Sequence, residues 1–163
     1  MENLLHKFAR AGDLYKIRKT VSTGADVNAK DEFGATPLDC AIAQKHPDAA
    51  ELLLELDADA SIQDNDGSTA LQYAIENDLP DVLQALLNKC PEAVSISDKH
   101  GNQALWYAAQ CARGNYEMVK MLLKCGADTT HRNKVDLSPV DLAKDWNDAE
   151  LLQLLESARS SKK

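Results

Sequence analysis

Apolar positions along the chain gather into short clusters that come in pairs, with polar stretches between the pairs. The first member of each pair is compact and rich in small residues: LLHKFA at 4–9, then GATPLDCA at 34–41, GSTALQYA at 67–74, GNQALWYA at 101–108 and DLSPVDLA at 136–143. Their central apolar positions, Leu5, Leu38, Leu71, Leu105 and Val140, are spaced by 33, 33, 34 and 35 residues. The second member is longer and more aliphatic: Ile17 to Val21, LLLEL at 52–56, VLQALL at 82–87, MVKMLL at 118–123 and LLQLL at 151–155. A fixed period of this length is the mark of a repeat architecture. Each unit therefore reads as a turn, a short helix, a tight link, a second helix and a loop. Neither helix can bury its apolar face alone, so neighbouring units must stack into one continuous core.

The polar residues between the clusters punctuate the same unit. Thr36, Thr69 and Ser138 stand where a hydroxyl can accept a bond from an early helical N–H. Pro37 and Pro139 follow at the first helical position, where the missing N–H costs nothing. Gln103 is a poorer cap, so the fourth unit departs there. Gly34, Gly67 and Gly101 fit a turn that needs positive φ. Asp136 holds that slot in the last unit, and aspartate tolerates it better than most residues. After most second clusters comes a Gly-Ala-Asp-like segment: GADVNAKD at 24–31, DADASIQD at 57–64 and CGADTTHRN at 125–133. Gly24 and Gly126 sit there as helix C-terminal caps. The third such segment, NKCPEAVSISD at 88–98, is altered.

Gly34-x-Thr36-Pro37-Leu38-x-x-Ala41, the later Leu-Leu and Gly24-Ala25-Asp26-Val27-Asn28-Ala29 resemble the ankyrin repeat family. The resemblance implies an all-α repeat solenoid: an ankyrin-type stack of helix-turn-helix units with projecting turn or hairpin loops, about five repeats. The expected domain covers 1–157, with repeats at about 2–30, 31–63, 64–97, 98–132 and 133–157, and a polar C-terminal tail at 158–163. One extra residue enters near Pro91. Two more enter near Gln110-Cys111-Ala112-Arg113, between the fourth repeat's helices.

Composition and charge narrow the function. Of 163 residues, 44% are hydrophobic and only 5% aromatic, which suits closely packed small and aliphatic side chains. The formal net charge of −8 argues against a nucleic-acid binder, which needs a basic face. No run approaches the roughly 20 apolar residues that span a bilayer. The N-terminus has no signal pattern, and a cytoplasmic location is expected. The charge is uneven: residues 1–82 carry sixteen acids against seven Lys/Arg, and residues 46–88 carry ten acids and no Lys or Arg. An acidic surface there serves solubility or steers a basic partner.

Candidate chemistry does not survive alignment of the repeats. Cys40 with His46 would suggest a nucleophile and base. The Cys40 slot, however, is filled by Tyr73, Tyr107 and Leu142, so it reads as a place for medium-to-large apolar groups. Cys40, Cys90, Cys111 and Cys125 are not spaced as metal ligands and read as free thiols in a reducing compartment. DNDGSTA at 64–70 fails as a calcium loop, because Ile62 and Tyr73 would occupy ligand positions. No cofactor or metal is expected, and the chain reads as a non-enzyme.

Family analogy implies that partners contact the turn tips and the exposed side of the first helices. The matching tip positions are Lys30, Glu32, Phe33 and Ala35; Gln63, Asn65, Asp66 and Ser68; Ser97, Lys99, His100 and Asn102; and Arg132, Lys134 and Val135. First-helix exits add Gln44, Glu76, Asn77, Arg113 and Lys144. Phe33 either packs on the next tip or anchors a partner. Trp106 takes a slot that is polar elsewhere, and either fills space between repeats or stands exposed as an anchor. The expected function is a monomeric protein–protein interaction module for a partner with a basic surface, without nucleic acid or membrane. One version is a stoichiometric inhibitor, such as a toxin-immunity protein that occludes a basic active site. A rival of another class is a small-molecule enzyme using His100 or His131.

Overall fold

A computed structural model describes residues 3–160 of the chain. Glu2 of the expected first repeat and residues 161–163 of the expected tail lie outside the described residues. Among the described residues there are ten α-helices, one 3-10 helix and no strand. The helices are α1 Leu4–Arg10, α2 Leu14–Ser22, α3 Pro37–Ala43, α4 Pro47–Glu55, α5 Ala70–Glu76, α6 Pro80–Lys89, α7 Ala104–Cys111, α8 Glu117–Lys124, α9 Pro139–Asp145 and α10 Ala149–Ser160. The first helices α1, α3, α5, α7 and α9 pack in one row, and the second helices α2, α4, α6 and α8 in another behind it. This is the all-α repeat stack that the period predicts. The helix α10 runs to Ser160, into the segment expected as tail.

The seam between rows is made by the residues that set the period. Leu5, Leu38, Leu71 and Leu105 are fully buried, and Ala9, Ala41, Ala74, Ala108 and Ala143 are nearly so. Full burial of a leucine contributes roughly 1.5–3 kcal/mol, and alanine lets the first helices approach closely. Val140, the anchor of the last repeat, is only half-buried. It has no following repeat among the described residues to cover it.

Helix starts follow the cap residues. The Thr36 hydroxyl accepts from the Asp39 N–H at 3.2 Å, and the Asp39 carboxylate accepts from the Thr36 N–H and hydroxyl at 2.8 Å. Ser138 and Asp141 repeat the arrangement. In the third repeat Gln72 takes the carboxylate's part, its Oε1 accepting from Thr69 N–H at 2.6 Å. Gln103 makes no side-chain cap. Pro47 and Pro80 open the second helices as well. The tight link within each repeat turns through one left-handed residue, Gly12, Lys45, Asp78, Arg113 or Asn147.

The tip glycines answer to two demands. Gly34, Gly67 and Gly101 have φ of +78°, +80° and +80°. The next tip also lies directly over each of them. A Cβ on Gly67 would stand 2.9 Å from Lys99 N and 3.0 Å from Asp98 Cα. Asp136 has the same left-handed backbone, at φ +62°. No further tip lies over it among the described residues, and the left-handed backbone is a demand that aspartate meets. The inserted residues near Pro91 are packed, whereas Gln110, Cys111 and Arg113 at the fourth link are exposed. Those near Pro91 form a 3-10 helix, Pro91–Ser95, that buries Ala93 and Val94. The longer fourth link adds a second left-handed residue, Gly114, beside Arg113.

Two predictions follow from this geometry. Gly67→Ala meets backbone of the next tip and a strained φ, while Gly24→Ala meets open space and only the strain. Gly24→Ala should cost about 1–2 kcal/mol in urea unfolding, and Gly67→Ala clearly more; equal losses would show that tip contact is not limiting. The second concerns Asp39, whose carboxyl is pushed up from 3.8 to about 6 by burial, against the hydrogen bonds from Thr36. The native state keeps this proton to higher pH than the unfolded chain, so the group's contribution to stability falls as pH rises from about 4 to 6. Asp39→Asn should therefore gain on the wild type between pH 4 and pH 7, by on the order of 2 kcal/mol. A variant difference that stays flat with pH would refute it.

Candidate partner-binding surface

The turn tips are built by one acidic or amide side chain per repeat. Asp31 Oδ1 accepts from the N–H groups of Phe33 and Ala35 at 2.9 and 3.0 Å. Asp64 does so for Asp66 and Ser68, Asp98 for His100 and Asn102, and Asn133 for Val135 and Leu137. A short side chain that bonds backbone just ahead of it is the usual device for fixing a tight turn. The second oxygen then reaches sideways. Asp64 Oδ2 accepts from the Tyr73 hydroxyl at 2.7 Å, and Asp98 Oδ2 accepts from the Tyr107 hydroxyl. Cys40 stands at the tyrosine slot in the second repeat. There Asp31 Oδ2 takes the Arg10 guanidinium instead, at 2.6 Å. The slot expected to hold apolar filler thus uses its hydroxyl where a tyrosine occupies it.

Neighbouring tips are laced together. Backbone bonds run from Asn65 N–H to Phe33 O, Lys99 N–H to Asp66 O and Lys134 N–H to His100 O, at 2.8–2.9 Å. Side chains add rungs: Lys30 Nζ donates to Gln63 O at 2.7 Å, Asn65 Nδ2 to Glu32 O at 3.0 Å, and Gln63 Nε2 to Ser97 O at 2.9 Å. The Lys99 ammonium meets Asp66 Oδ1 at 2.7 Å. Several residues expected to meet a partner therefore also join the tips to one another.

Several expected contact residues lie elsewhere than on a free surface. Asn102 is buried, at 6% exposure. It donates its own N–H to Asp98 and accepts from Asn133 Nδ2 at 2.8 Å, so it is a rung of the tip ladder. Ala35 is half-buried, and its carbonyl accepts from His6 Nε2 at 3.0 Å. Trp106 is half-buried, packs edge-on against Tyr107 with ring centroids 5.3 Å apart, and leaves its Nε1 buried without a partner among the described residues. Of the two uses expected for it, this geometry corresponds to filling space between repeats. Phe33, by contrast, is 66% exposed. Glu32, Gln44, Asn65, Arg113 and Lys134 are exposed, as are Arg132, Val135 and Lys144, while Asn77 is half-buried with its amide on Tyr73 O.

A groove of about 280 Å3 collects part of the expected set. Asp66, Ser68, Glu76, Lys99 and His100 line it, together with Asp64, Gln72, Tyr73, Asp98 and Tyr107. Lys30, Glu32, Phe33, Gln44, Trp106, Arg113 and Lys134 do not. The groove holds four carboxylates and one ammonium, which is already paired with Asp66. Burial, then the charges of Asp64 and Asp98, push the Glu76 carboxyl above its usual range. Burial also acts to raise Asp98, but the bonds from Tyr107, Asn102 and His100 outweigh it and hold this carboxyl low. Tyr107 is pushed up to about 12 by burial and its bond to Asp98, so its hydroxyl remains a donor. What the groove offers is negative potential and acceptor oxygens, suited to a cationic side chain.

The histidines and cysteine weighed for chemistry are tied up or apart. His46 Nε2 donates to Arg10 O at 3.1 Å, and Cys40 is buried. His131 Nε2 donates to Gly101 O at 2.9 Å, while His100 is exposed at its tip. No helix among the described residues is long and apolar enough to cross a membrane.

Comparison with known proteins identifies ankyrin repeats in the chain. A family model described as "Ankyrin repeats (3 copies)" matches residues 56–133, and another, "Ankyrin repeats (many copies)", matches residues 21–74. The human neurogenic locus notch homolog protein 2 is 32% identical over 127 residues, covering 78% of this chain and 5% of that protein. The acyl-CoA-binding domain-containing protein 1 of Arabidopsis thaliana is 41% identical over 54 residues, 33% of this chain and 16% of its own length. Human protein phosphatase 1 regulatory subunit 27 is 39% identical over 54 residues, 33% of this chain and 35% of its own. The chain thus spans only a minor part of each relative.

The raised Glu76 is measurable. In a carboxyl-detected NMR titration Glu76 should titrate above the ordinary glutamate value, and adding free arginine should bring it down. A midpoint at the ordinary value, or one indifferent to arginine, would mean that the groove carries no usable negative potential.

Proposed function

The chain belongs to the ankyrin repeat family, whose repeats are generally protein–protein interaction modules, and on that premise we propose that it holds a basic segment of a partner protein in the groove between its third and fourth repeats. The observation that carries this reading is the groove's charge: Asp64, Asp66, Glu76 and Asp98 face one cation, Lys99. Repeats of this type are not enzymes, and the cationic side chain of a bound partner would be held, not transformed. An arginine would place its guanidinium against Glu76, where a charge-assisted pair is stronger than a neutral hydrogen bond. Phe33, on a tip two repeats before that of the fourth, would add an apolar contact at the edge of the interface. In the inhibitory version the same groove would occupy basic residues of a partner's active site.

The expectation also narrows. Glu32 sits on the first tip and outside the groove, so Glu76 is the better test residue. It makes no hydrogen bond or ion pair among the described residues that a substitution would break. A partner recovered at low salt and identified by mass spectrometry should bind Glu76→Lys at least tenfold more weakly than wild type, and Glu76→Gln by an intermediate amount. Wild-type affinity should fall as salt screens the charges. Affinity unchanged by both substitutions would remove the groove from the interface.

A further inference from the structure

A second groove lies on the opposite row of helices, between α2 and α4. It encloses about 460 Å3 and is lined by Leu14, Tyr15 and Arg18 of α2 and by Asp48, Glu51, Leu52 and Glu55 of α4. Leu52 is nearly buried and forms the floor, whereas Leu14 and Tyr15 are 40% and 72% exposed. The core does not need them: Ile17 is the residue through which α2 is buried. Large apolar side chains left beside a concavity are a common feature of interaction sites.

The charge around them selects the occupant. Asp48, Glu51 and Glu55 project from one face of α4, at helical spacings of three and four. Glu51 and Glu55 repel one another along the helix. Among the described residues Arg18 pairs with Glu55 alone, at 3.6 Å. Among the described residues Asp48 and Glu51 have no ion-pair partner. An external cation would relieve this repulsion, and an apolar side chain beside it would cover Tyr15 and Leu14. A second copy of the chain would bring acid against acid, and an anionic lipid surface would be repelled.

We propose that the α2–α4 groove is a second docking surface, for a short segment of a partner protein that carries a large apolar side chain flanked by arginine or lysine. The apolar group seats on Leu52 between Leu14 and Tyr15, and the flanking cation meets Asp48 and Glu51. This surface is separate from the acidic groove of the third and fourth repeats, so the module can engage partners on both rows.

The test uses the isotope-labelled full chain and two blocked synthetic peptides, one with Leu and Phe flanked by arginines and one with the arginines replaced by glutamates. The arginine peptide should shift the amide signals of Leu14, Tyr15 and Glu51 saturably. Its affinity should fall at least tenfold in Tyr15→Ala and in Glu51→Lys, and remain unchanged in Glu76→Lys. Both changed side chains are exposed, and an unaltered urea midpoint checks that each variant is folded; Glu51→Gln gives a milder second variant. The proposal is overturned if the glutamate peptide binds equally well. It is also overturned if the shifts map to residues 64–107 and vanish in Glu76→Lys, which would leave the acidic-groove reading intact. A Tyr15-dependent dimer of the peptide-free protein in sedimentation would overturn it too, since the groove would then be a contact between copies.

Discussion

Each repeat here is two helices of seven to twelve residues, too short to be stable alone in water. What holds any of them is the face of the neighbour. Leucine at the period position and alanine three residues later are sealed only when another repeat lies against them. Most other features follow from that requirement. Tips must lie flat on one another, so three of them carry glycine, with the next backbone about 3 Å from where a Cβ would be. Rows must approach closely, so their first helices are rich in alanine. In the fifth repeat both demands are relaxed: Val140 is only half-buried, and Asp136 replaces glycine where no further tip lies over it among the described residues.

The same requirement explains much of the acidity. Asp31, Asp64 and Asp98 hold their turns through one oxygen and bind Arg10, Tyr73 or Tyr107 through the other. These carboxylates are parts of the scaffold, and their charge comes with the turn. Their spacing of about one repeat brings Asp64 and Asp98 to the walls of one groove. Glu76 is different, because no donor stabilises its ionised form and the neighbouring charges oppose it. A groove lined by structural carboxylates thus has a fixed negative potential, and on its wall Glu76 has no hydrogen-bond or ion-pair partner among the described residues. This division is why substitution of Glu76 would leave the turns in place, whereas substitution of Asp64 would first undo one.

The repeat period was legible in the sequence because it recurs, and the helix pairs, the Thr/Ser–Pro starts and the positive φ of the tip glycines because each is set by backbone geometry within about eight residues. The left-handed backbone at Asp136 was legible for the same reason. Less legible was anything that depends on what lies across a repeat boundary. Asn102 reads as a polar tip residue, yet it is buried between Asp98 and Asn133. Lys30 and Lys99 read as tip residues that meet a partner, yet they bond to the next or preceding tip. The turn-holding series Asp31, Asp64, Asp98 and Asn133 was present at the repeat spacing. It was hidden because aspartate in a turn is unremarkable until its second oxygen finds a partner. Tyr73 and Tyr107 were hidden for a related reason: beside Cys40 and Leu142 they look apolar, and only the position of the tip carboxylate nine residues earlier shows why a hydroxyl belongs there.

The acid-rich stretch from 46 to 88 is continuous in sequence but divided by the fold. Because each repeat alternates a first helix and a second helix, its residues are dealt to opposite rows. Asp64, Asp66 and Glu76 line the groove beside the tips, while Asp48, Glu51 and Glu55 line the one between α2 and α4. One composition therefore produces two negative surfaces with different company. The first is surrounded by tyrosine hydroxyls and an ammonium, and favours a polar cation. The second is surrounded by leucine and tyrosine carbon, and favours a cation with an apolar neighbour. Charge alone would attract any basic partner to either surface. On the binding proposed for these grooves, the side chains beside the charge would determine which basic segment stays, and the fold sets these by placing alternate helices in alternate rows.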